Sequence, residues 1–247
     1  MRTHRLYVPG PLRAGAGLEL DPERSHYLSR VLRARPGDAL VLFDGRGGEH
    51  PATVADVAKQ AVTVTVGAVR EGLPEPPLDI HLLQGISRGE RMDWVVQKAT
   101  ELGVARLTPV LTEFSVVQLG GERAARRGAH WTKIAQAACE QCGRNRVPVI
   151  AAPRPLADVL AEVPARDPAG TRILLDPAAP RPLASGGPRD GRVELLIGPE
   201  GGLSAGEHAR AEAAGFAPRS LGPRVLRTET AAIAALAVLQ ARWGDFA

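Results

Sequence analysis

Leu195-Leu196-Ile197-Gly198-Pro199-Glu200-Gly201-Gly202-Leu203-Ser204 is an apolar run that breaks into a glycine-rich turn and then opens a helix. The apolar part fits a buried strand. Ser204 and Glu207 have the spacing of a capping box, a helix-start signature. Strand, glycine loop and helix in that order form one unit of an α/β domain with a mainly parallel sheet. Glycines at such a turn let a ligand come close to the backbone and meet its amide and carbonyl groups. Taken alone, the turn could be a phosphate cradle at a helix N-terminus. No Lys-Ser/Thr pair follows, however, as a Walker loop requires, and Glu200 sets a negative charge beside any phosphate. An acidic, carbonyl-rich loop suits a neutral or cationic ligand better. A tight turn that simply needs glycine also accounts for the loop in isolation.

A second turn of the same kind follows in Leu221-Gly222-Pro223-Arg224-Val225-Leu226-Arg227-Thr228-Glu229-Thr230-Ala231-Ala232. Thr228 or Glu229 could cap the last helix, with the carboxylate favourable in the first turn, and Arg227 could pair with Glu229. That reading explains each residue singly. It does not explain why two Gly-Pro turns, both leaving strands, precede the last two helices. Ligands of open α/β sheets collect outside the carboxyl ends of the strands, so both turns are expected on one rim.

Upstream, Ile80-His81-Leu82-Leu83 reads as a strand. Ser87 and Glu90 have capping-box spacing, and Met92, Val95, Val96, Ala99 and Leu102 follow at helical period until Gly103. Trp131, Ile134, Ala135, Ala138 and Cys142 mark one face of another helix that ends at Gly143. Strands are expected at 147–151, 173–176 and 193–198, and a last helix at 230–243. That helix is apolar on nearly every side and must be covered all round. Residues 151–188 are rich in Ala and Pro and are expected to form loops between short elements. The first part of the chain reads as β: Leu40-Val41-Leu42-Phe43 stops at Asp44-Gly45, and Val62-Thr63-Val64-Thr65-Val66 alternates apolar with polar. One helix is expected at 22–32, with Asp21 as N-cap and Pro22 at the first helical position. Short strands around one helix suggest a small barrel. A proline-rich stretch then interrupts both helix and sheet. The domains are therefore expected at 1–72 and 79–247, joined by a linker at 73–78.

The chain has 247 residues, 44% of them hydrophobic, enough for two domains with buried cores. Its start lacks an apolar signal region, and no run of about 18 apolar residues occurs. A soluble, cytoplasmic protein is expected. The net charge of +4 suits a polyanionic partner such as RNA. Almost all the positive charge is arginine, a bias that genome composition also produces. Cys139 and Cys142 form a single C-x-x-C near a helix end, without the further ligands a structural zinc needs. They read as reduced helix residues, and no metal is expected.

The two Gly-Pro turns resemble the signature of the SPOUT class of methyltransferases. Ser87-Arg88-Gly89-Glu90-Arg91-Met92, Gln97-Lys98-Ala99-Thr100-Glu101-Leu102-Gly103 and Ala138-Cys139-Glu140-Gln141-Cys142-Gly143-Arg144-Asn145-Arg146 extend the likeness. So do Arg5-Leu6-Tyr7 and His26-Tyr27-Leu28-Ser29-Arg30-Val31-Leu32-Arg33. More narrowly, the chain is similar to the ribosomal RNA small-subunit methyltransferase E family, which makes N3-methyluridine in 16S rRNA. The likeness runs in order along essentially the whole chain and is weakest at 151–188.

The resemblance implies a PUA-like β-barrel followed by an α/β domain with a deep trefoil knot, a feature that pattern alone would not propose. It implies S-adenosyl-L-methionine as cofactor, held by Leu175, Gly198, Pro199, Glu200, Gly201, Leu221, Gly222, Leu226 and Arg227. It implies a homodimer, which would cover the apolar last helix, and 16S rRNA within the 30S subunit as partner. Uracil N3 is a poor nucleophile until its proton is lost. Arg227 could stabilise the charge that develops on O2 and O4, and Glu229 could orient it or accept the proton; a structural Arg–Glu pair is the competing reading. RNA contacts are expected from Arg2, Arg5, Arg30, Arg33, Arg88, Arg144 and Arg146, with Tyr7 as a stacking residue. The alternatives are a SPOUT methyltransferase acting on another RNA and a non-catalytic RNA-binding protein. A Rossmann-type methyltransferase lacks its glycine loop here.

Overall fold

The computed structural model describes residues 3–59, 61–115, 121–166, 170–188 and 190–246. The expected RNA contact Arg2 lies outside them. Two compact units emerge, Met1–Glu75 with Gln136–Val147, and Pro76–Ala135 with Pro148–Ala247.

The first unit is built on a mixed sheet. In chain order it contains β1 (His4–Tyr7), β2 (Gly17–Glu19), α1 (Pro22–His26), β3 (Ala39–Phe43), β4 (Gly48–Val57), β5 (Val62–Val66) and β6 (Arg70–Glu71). The strand order is β1-β3-β4-β5-β2, with β6 on β4; β1 runs parallel to β3 and the other pairs are antiparallel. The alternation in β5 does what a period of two requires: Val62, Val64 and Val66 are buried, whereas Thr65 faces out. They meet Leu6, Leu28, Leu40, Leu42 and Val54 in one core.

α1 starts as its cap foretells, with the Asp21 carboxylate accepting from the Arg24 amide at 2.9 Å and Pro22 in the first turn. The helix expected over 22–32 forms over Pro22–Val31, but not as one regular α-helix. After His26 the chain widens into a π-helical turn, Tyr27–Val31. Cys139 and Cys142 are free, and burial pushes the Cys139 thiol up to about 12.

The second unit holds a seven-stranded sheet in which every pair is parallel. Its elements are β7 (Asp79–Gly85), α2 (Arg91–Glu101), β8 (Arg106–Leu111) and the helix α3 (Gly121–Cys142), whose last turns belong to the first unit. β9 (Val149–Ile150), β10 (Arg154–Pro155), α4 (Leu156–Arg166), β11 (Thr171–Leu175) and β12 (Arg192–Ile197) follow. The chain closes with α5 (Ala205–Ala213), β13 (Ala217–Arg219) and α6 (Thr228–Trp243). Strand order is β10-β8-β7-β12-β11-β13, with β9 on β8. The order reverses between β7 and β12, so the loops leaving β11, β12 and β13 share one rim. A polar brace crosses the middle of the sheet. His81 on β7 lies 2.8 Å from the Thr108 hydroxyl on β8 and 2.7 Å from the Glu194 carboxylate on β12, all three buried.

Two local expectations fail. The Ser87–Glu90 capping box does not form: Gly89, at φ +62°, turns the chain, and α2 begins at Arg91 after Glu90 with no side-chain cap. Residues 151–188 are not only loops between short elements, since α4 occupies eleven of them. Leu156, Val159, Leu160 and Val163 recur at helical spacing and bury against Leu83, Leu174 and Leu196.

The Ser204–Glu207 capping box is present in full. One Glu207 oxygen accepts from the Ser204 amide at 2.9 Å, and the other accepts from the Glu113 amide at 2.8 Å. The buried carboxylate thus fixes the start of α5 to the turn after β8. Ser204→Ala removes one neutral cap bond and should cost about 1 kcal/mol. Glu207→Ala removes two charge-assisted bonds and strands two amides, so it should cost about 3 kcal/mol in chemical denaturation. Equal losses in the two variants would refute the clamp.

Candidate active site

At the carboxyl rim of the second unit a cavity of about 470 Å³ opens between the loops, within the size range of small-molecule sites. Leu175 and Pro177 wall it after β11, Ile197, Gly198, Pro199, Glu200 and Gly202 after β12. Leu221, Arg224, Val225, Leu226 and Arg227 contribute after β13, Thr228, Glu229 and Ala231 from α6, and Arg91 from the start of α2. The two Gly-Pro turns therefore converge.

Backbone packing explains why these loops sit where they do. A Cβ on Gly85, the last residue of β7, would lie 2.3 Å from the Pro199 nitrogen, so only glycine admits the loop this close. The buried Gln84 side chain donates to the Thr228 hydroxyl at 2.9 Å, and that hydroxyl donates to the Gly198 carbonyl at 2.7 Å. One chain of hydrogen bonds thus ties β7, the first turn and the start of α6. Thr228 does not cap its own helix. Arg227 occupies the cap position, and no side chain caps α6.

The charges are unevenly matched. Arg91 donates to Glu200 at 2.7 Å and lies 4.0 Å from Glu229. Glu200 also accepts the Arg88 amide at 3.1 Å. Partial burial opposes the charged form of Glu200. Hydrogen bonds from backbone amides, including that of Arg88, and from Arg91 outweigh it and hold the carboxyl below its ordinary value. Glu229 is buried, and its Oε2 has no hydrogen-bond partner. Arg227, expected to pair with it in the structural reading, is exposed and forms no such pair among the described residues. The wall thus presents two carboxylates, one with a vacant acceptor oxygen, beside an uncommitted guanidinium.

Of the cofactor residues expected from the sequence, Leu175, Gly198, Pro199, Glu200, Leu221, Leu226 and Arg227 line this cavity, as does Glu229. Gly201 and Gly222 stand outside its wall; Gly201 packs against Phe114, and Gly222 turns the chain at φ +92°. Sequence reading missed Arg91 and gave Thr228 a different task. Arg91 lay within a motif already singled out, and a hydroxyl at a helix start just after a glycine loop was the available signal for Thr228.

The expected RNA contacts scatter differently. Arg88 in the second unit, and Arg30, Arg33 and Arg146 in the first, are exposed. Arg144 is buried, with its guanidinium on Glu75. Arg5 pairs with Glu49 at 2.7 Å, bonds the Asn145 side chain and lies over the Phe43 ring. Tyr7 is half-buried, with the Arg24 guanidinium 5.6 Å from its ring centroid and Phe43 tilted against it at 5.7 Å.

Known proteins match this arrangement over its whole length. The family model for an RNA methyltransferase domain matches residues 74–240, and that for an RNA methyltransferase PUA domain matches residues 20–67. The chain is 33% identical to ribosomal RNA small subunit methyltransferase E of Buchnera aphidicola subsp. Schizaphis graminum, covering 99% of this chain and 98% of the relative. It is 30% identical to the protein of the same name from Bacillus subtilis, over 88% and 87% of the two chains. Among solved structures it is similar to ribosomal RNA small subunit methyltransferase E from Neisseria gonorrhoeae bound to S-adenosyl methionine. That match has a TM-score of 0.92 at 36% identity and covers both chains fully. A protein from Legionella pneumophila in complex with the bound cofactor SAM matches with a TM-score of 0.90 at 43% identity, again over both full chains.

Replacing Thr228 by valine keeps its shape but removes the bond to the Gly198 carbonyl. It also removes one of the two bonds donated by the buried Gln84 amide, which keeps only its bond to the Gly85 carbonyl at 3.1 Å. Thr228→Val should lower stability by about 2 kcal/mol, whereas Thr228→Ser, which keeps the hydroxyl, should lose less than half as much. Thermal unfolding of both variants checks this, and equal behaviour would remove the hydroxyl bridge as the tie.

Proposed function

Because the chain belongs to the ribosomal RNA small subunit methyltransferase E family, we propose that it methylates N3 of a uridine in 16S rRNA of the small ribosomal subunit. The cofactor is S-adenosyl-L-methionine. Its sulfonium supplies an electrophilic methyl group. The observation that carries the reading is the cavity itself: both Gly-Pro turns enclose one space bordered by Glu200, Glu229 and an unpaired Arg227. Carboxylates there favour a cationic ligand and disfavour a phosphate. The backbone of Gly198, Pro199, Glu200 and Gly201 with that of Leu221, Gly222 and Leu226 would hold the adenosyl portion, with Leu175 against it.

The uracil chemistry follows from the two catalytic candidates. Glu229 Oε2 is an acceptor with no donor of its own, so it can take the N3 proton. The electron pair left on N3 delocalises onto O2 and O4, where the Arg227 guanidinium stabilises the charge. N3 then forms its bond to the methyl carbon while the carbon–sulfur bond breaks and its electron pair returns to sulfur. Holding the reacting atoms in line contributes on the order of 7 kcal/mol in favourable cases.

The exposed Arg30, Arg33, Arg88 and Arg146 would meet phosphates. The domains we assign are a PUA-like RNA-binding domain at 1–72, a linker at 73–78 and a SPOUT domain with a trefoil knot at 79–247. α6 supports a homodimer. It is apolar on nearly all sides, yet Ile233, Ala234, Ala237 and Val238 stay only half-covered within one chain. The place of action is the cytoplasm, where the small subunit matures.

Incubating the protein with undermethylated 30S subunits and labelled cofactor, then mapping the modified base, tests the reading. Label should fall on N3 of one uridine. Arg227→Ala should slow transfer about 100-fold or more and Glu229→Gln by a similar factor, with folding intact. Wild-type turnover in either variant would strike that residue from the mechanism, and label on another base or another RNA would overturn the substrate.

A further inference from the structure

The π-helical turn Tyr27–Val31 of the first unit ends in a strained residue. Arg33 has φ +53°, the one non-glycine residue with positive φ among the described residues. The Leu32 amide donates to the Tyr27 carbonyl at 3.0 Å and the Ala34 amide to the Leu28 carbonyl at 2.9 Å. Arg33 therefore fills the left-handed position that closes a helical segment, where glycine is usual because a Cβ is unfavourable there. A π-turn and an outlier in the same few residues are each features that concentrate at functional sites.

The turn presents an unusual outer face. Leu28 is fully buried and Leu32 packs on the same core. The opposite side carries Tyr27 and Val31, four residues apart and 38% and 62% exposed. Arg30, Arg33 and Arg35 neighbour them in the chain, all exposed, and none pairs its guanidinium with a carboxylate among the described residues. Of the acids close in sequence, Asp21 pairs with Arg24, and Asp38 accepts the backbone amide of Arg35 rather than its guanidinium. Tyr7, by contrast, is half-buried with Arg24 and Phe43 against its ring, so Tyr27 is the most exposed aromatic ring of this unit.

We infer that the turn Tyr27–Val31, with the strained Arg33, is a docking platform for single-stranded RNA. Tyr27 and Val31 receive an unpaired base, and Arg30, Arg33 and Arg35 hold the flanking phosphates. An apolar face of two side chains is too small to enter a membrane, and three unpaired guanidinium groups call for a polyanion. An exposed ring among them selects a polyanion that also offers flat, unstacked bases. The strain has a purpose on this reading: glycine would relax the backbone but would remove a phosphate contact. The platform rests on the reading that the substrate is ribosomal RNA.

The test uses the full chain and a labelled single-stranded oligouridine, with heparin as a polyanion without bases. Tyr27→Ala should weaken oligouridine binding about tenfold and leave heparin binding within about twofold, since only bases stack. Arg33→Gly should raise Tm by a few degrees while it weakens oligouridine and lowers the log–log salt slope by about 0.7. A purely structural Arg33 would not move stability and affinity in opposite directions. Unchanged oligouridine binding in Tyr27→Ala, equal losses for heparin and oligouridine, or a lower Tm in Arg33→Gly would each overturn the platform. Failure of the wild-type protein to methylate 30S subunits would instead sink the functional reading. Transfer by the wild type together with any of the three adverse results would sink the platform alone.

Discussion

A single hydroxyl holds the rim of the α/β unit together. Thr228 accepts from the Gln84 amide and donates to the Gly198 carbonyl, joining the end of β7, the first Gly-Pro turn and the first residue of α6. Gln84 and Thr228 are buried, so loss of the bridge would leave buried hydrogen-bonding capacity unmet. The bridge works only because Gly85 has no side chain, which lets the turn lie against the end of β7. Local backbone choice and a long-range hydrogen bond thus depend on each other, and the cavity exists where both are met.

That constraint also sets the electrostatics. Once α6 starts beside Gly198, Glu229 in its first turn is brought within 4.0 Å of Arg91, the same side chain that holds Glu200. Arg91 therefore neutralises two acidic wall residues at once and keeps the turn after β12 from being driven off by like charge. One Glu229 oxygen is left unpaired in a buried setting, an arrangement that a bound N–H donor would complete. Arg227 precedes the helix and points no guanidinium hydrogen at any carboxylate among the described residues, so it stays available to a developing anion.

How much of this could be read from the chain depends on whether the determinant was local. The glycine turns, the Ser204–Glu207 box and the β5 alternation are each set within a few residues, and they were legible. α4 was hidden for a different reason: the Ala and Pro around it masked the recurrence of Leu156, Val159, Leu160 and Val163, which was present all along. The π-turn was illegible, because residues 22–32 satisfy a regular helix as well as the wider one. Ser87 and Glu90 fail as a cap because Gly89 at φ +62° intervenes, and spacing alone does not reveal a backbone angle. The buried Arg144–Glu75 pair is set at long range, as is the assignment of residues 136–147 to the first unit. Neither leaves a trace in composition or period.

Strand order then turns sequence distance into proximity. β12 enters the sheet between β7 and β11, pairing Ile197 with Gln84 on one side and Leu196 with Leu174 on the other. β13 pairs with β11 so that Leu175 faces Arg219. Because all these strands are parallel, their carboxyl ends finish together, and every loop that leaves them does so on the same side. Leu175, Gly198 and Leu221 are far apart along the chain but occupy three successive exits of one sheet. An antiparallel partner at any of these positions would have sent one loop to the opposite rim. The convergence of the two Gly-Pro turns is therefore a consequence of parallel pairing around β12, and the fine contacts of Thr228 and Gly85 act on loops that topology has already brought together.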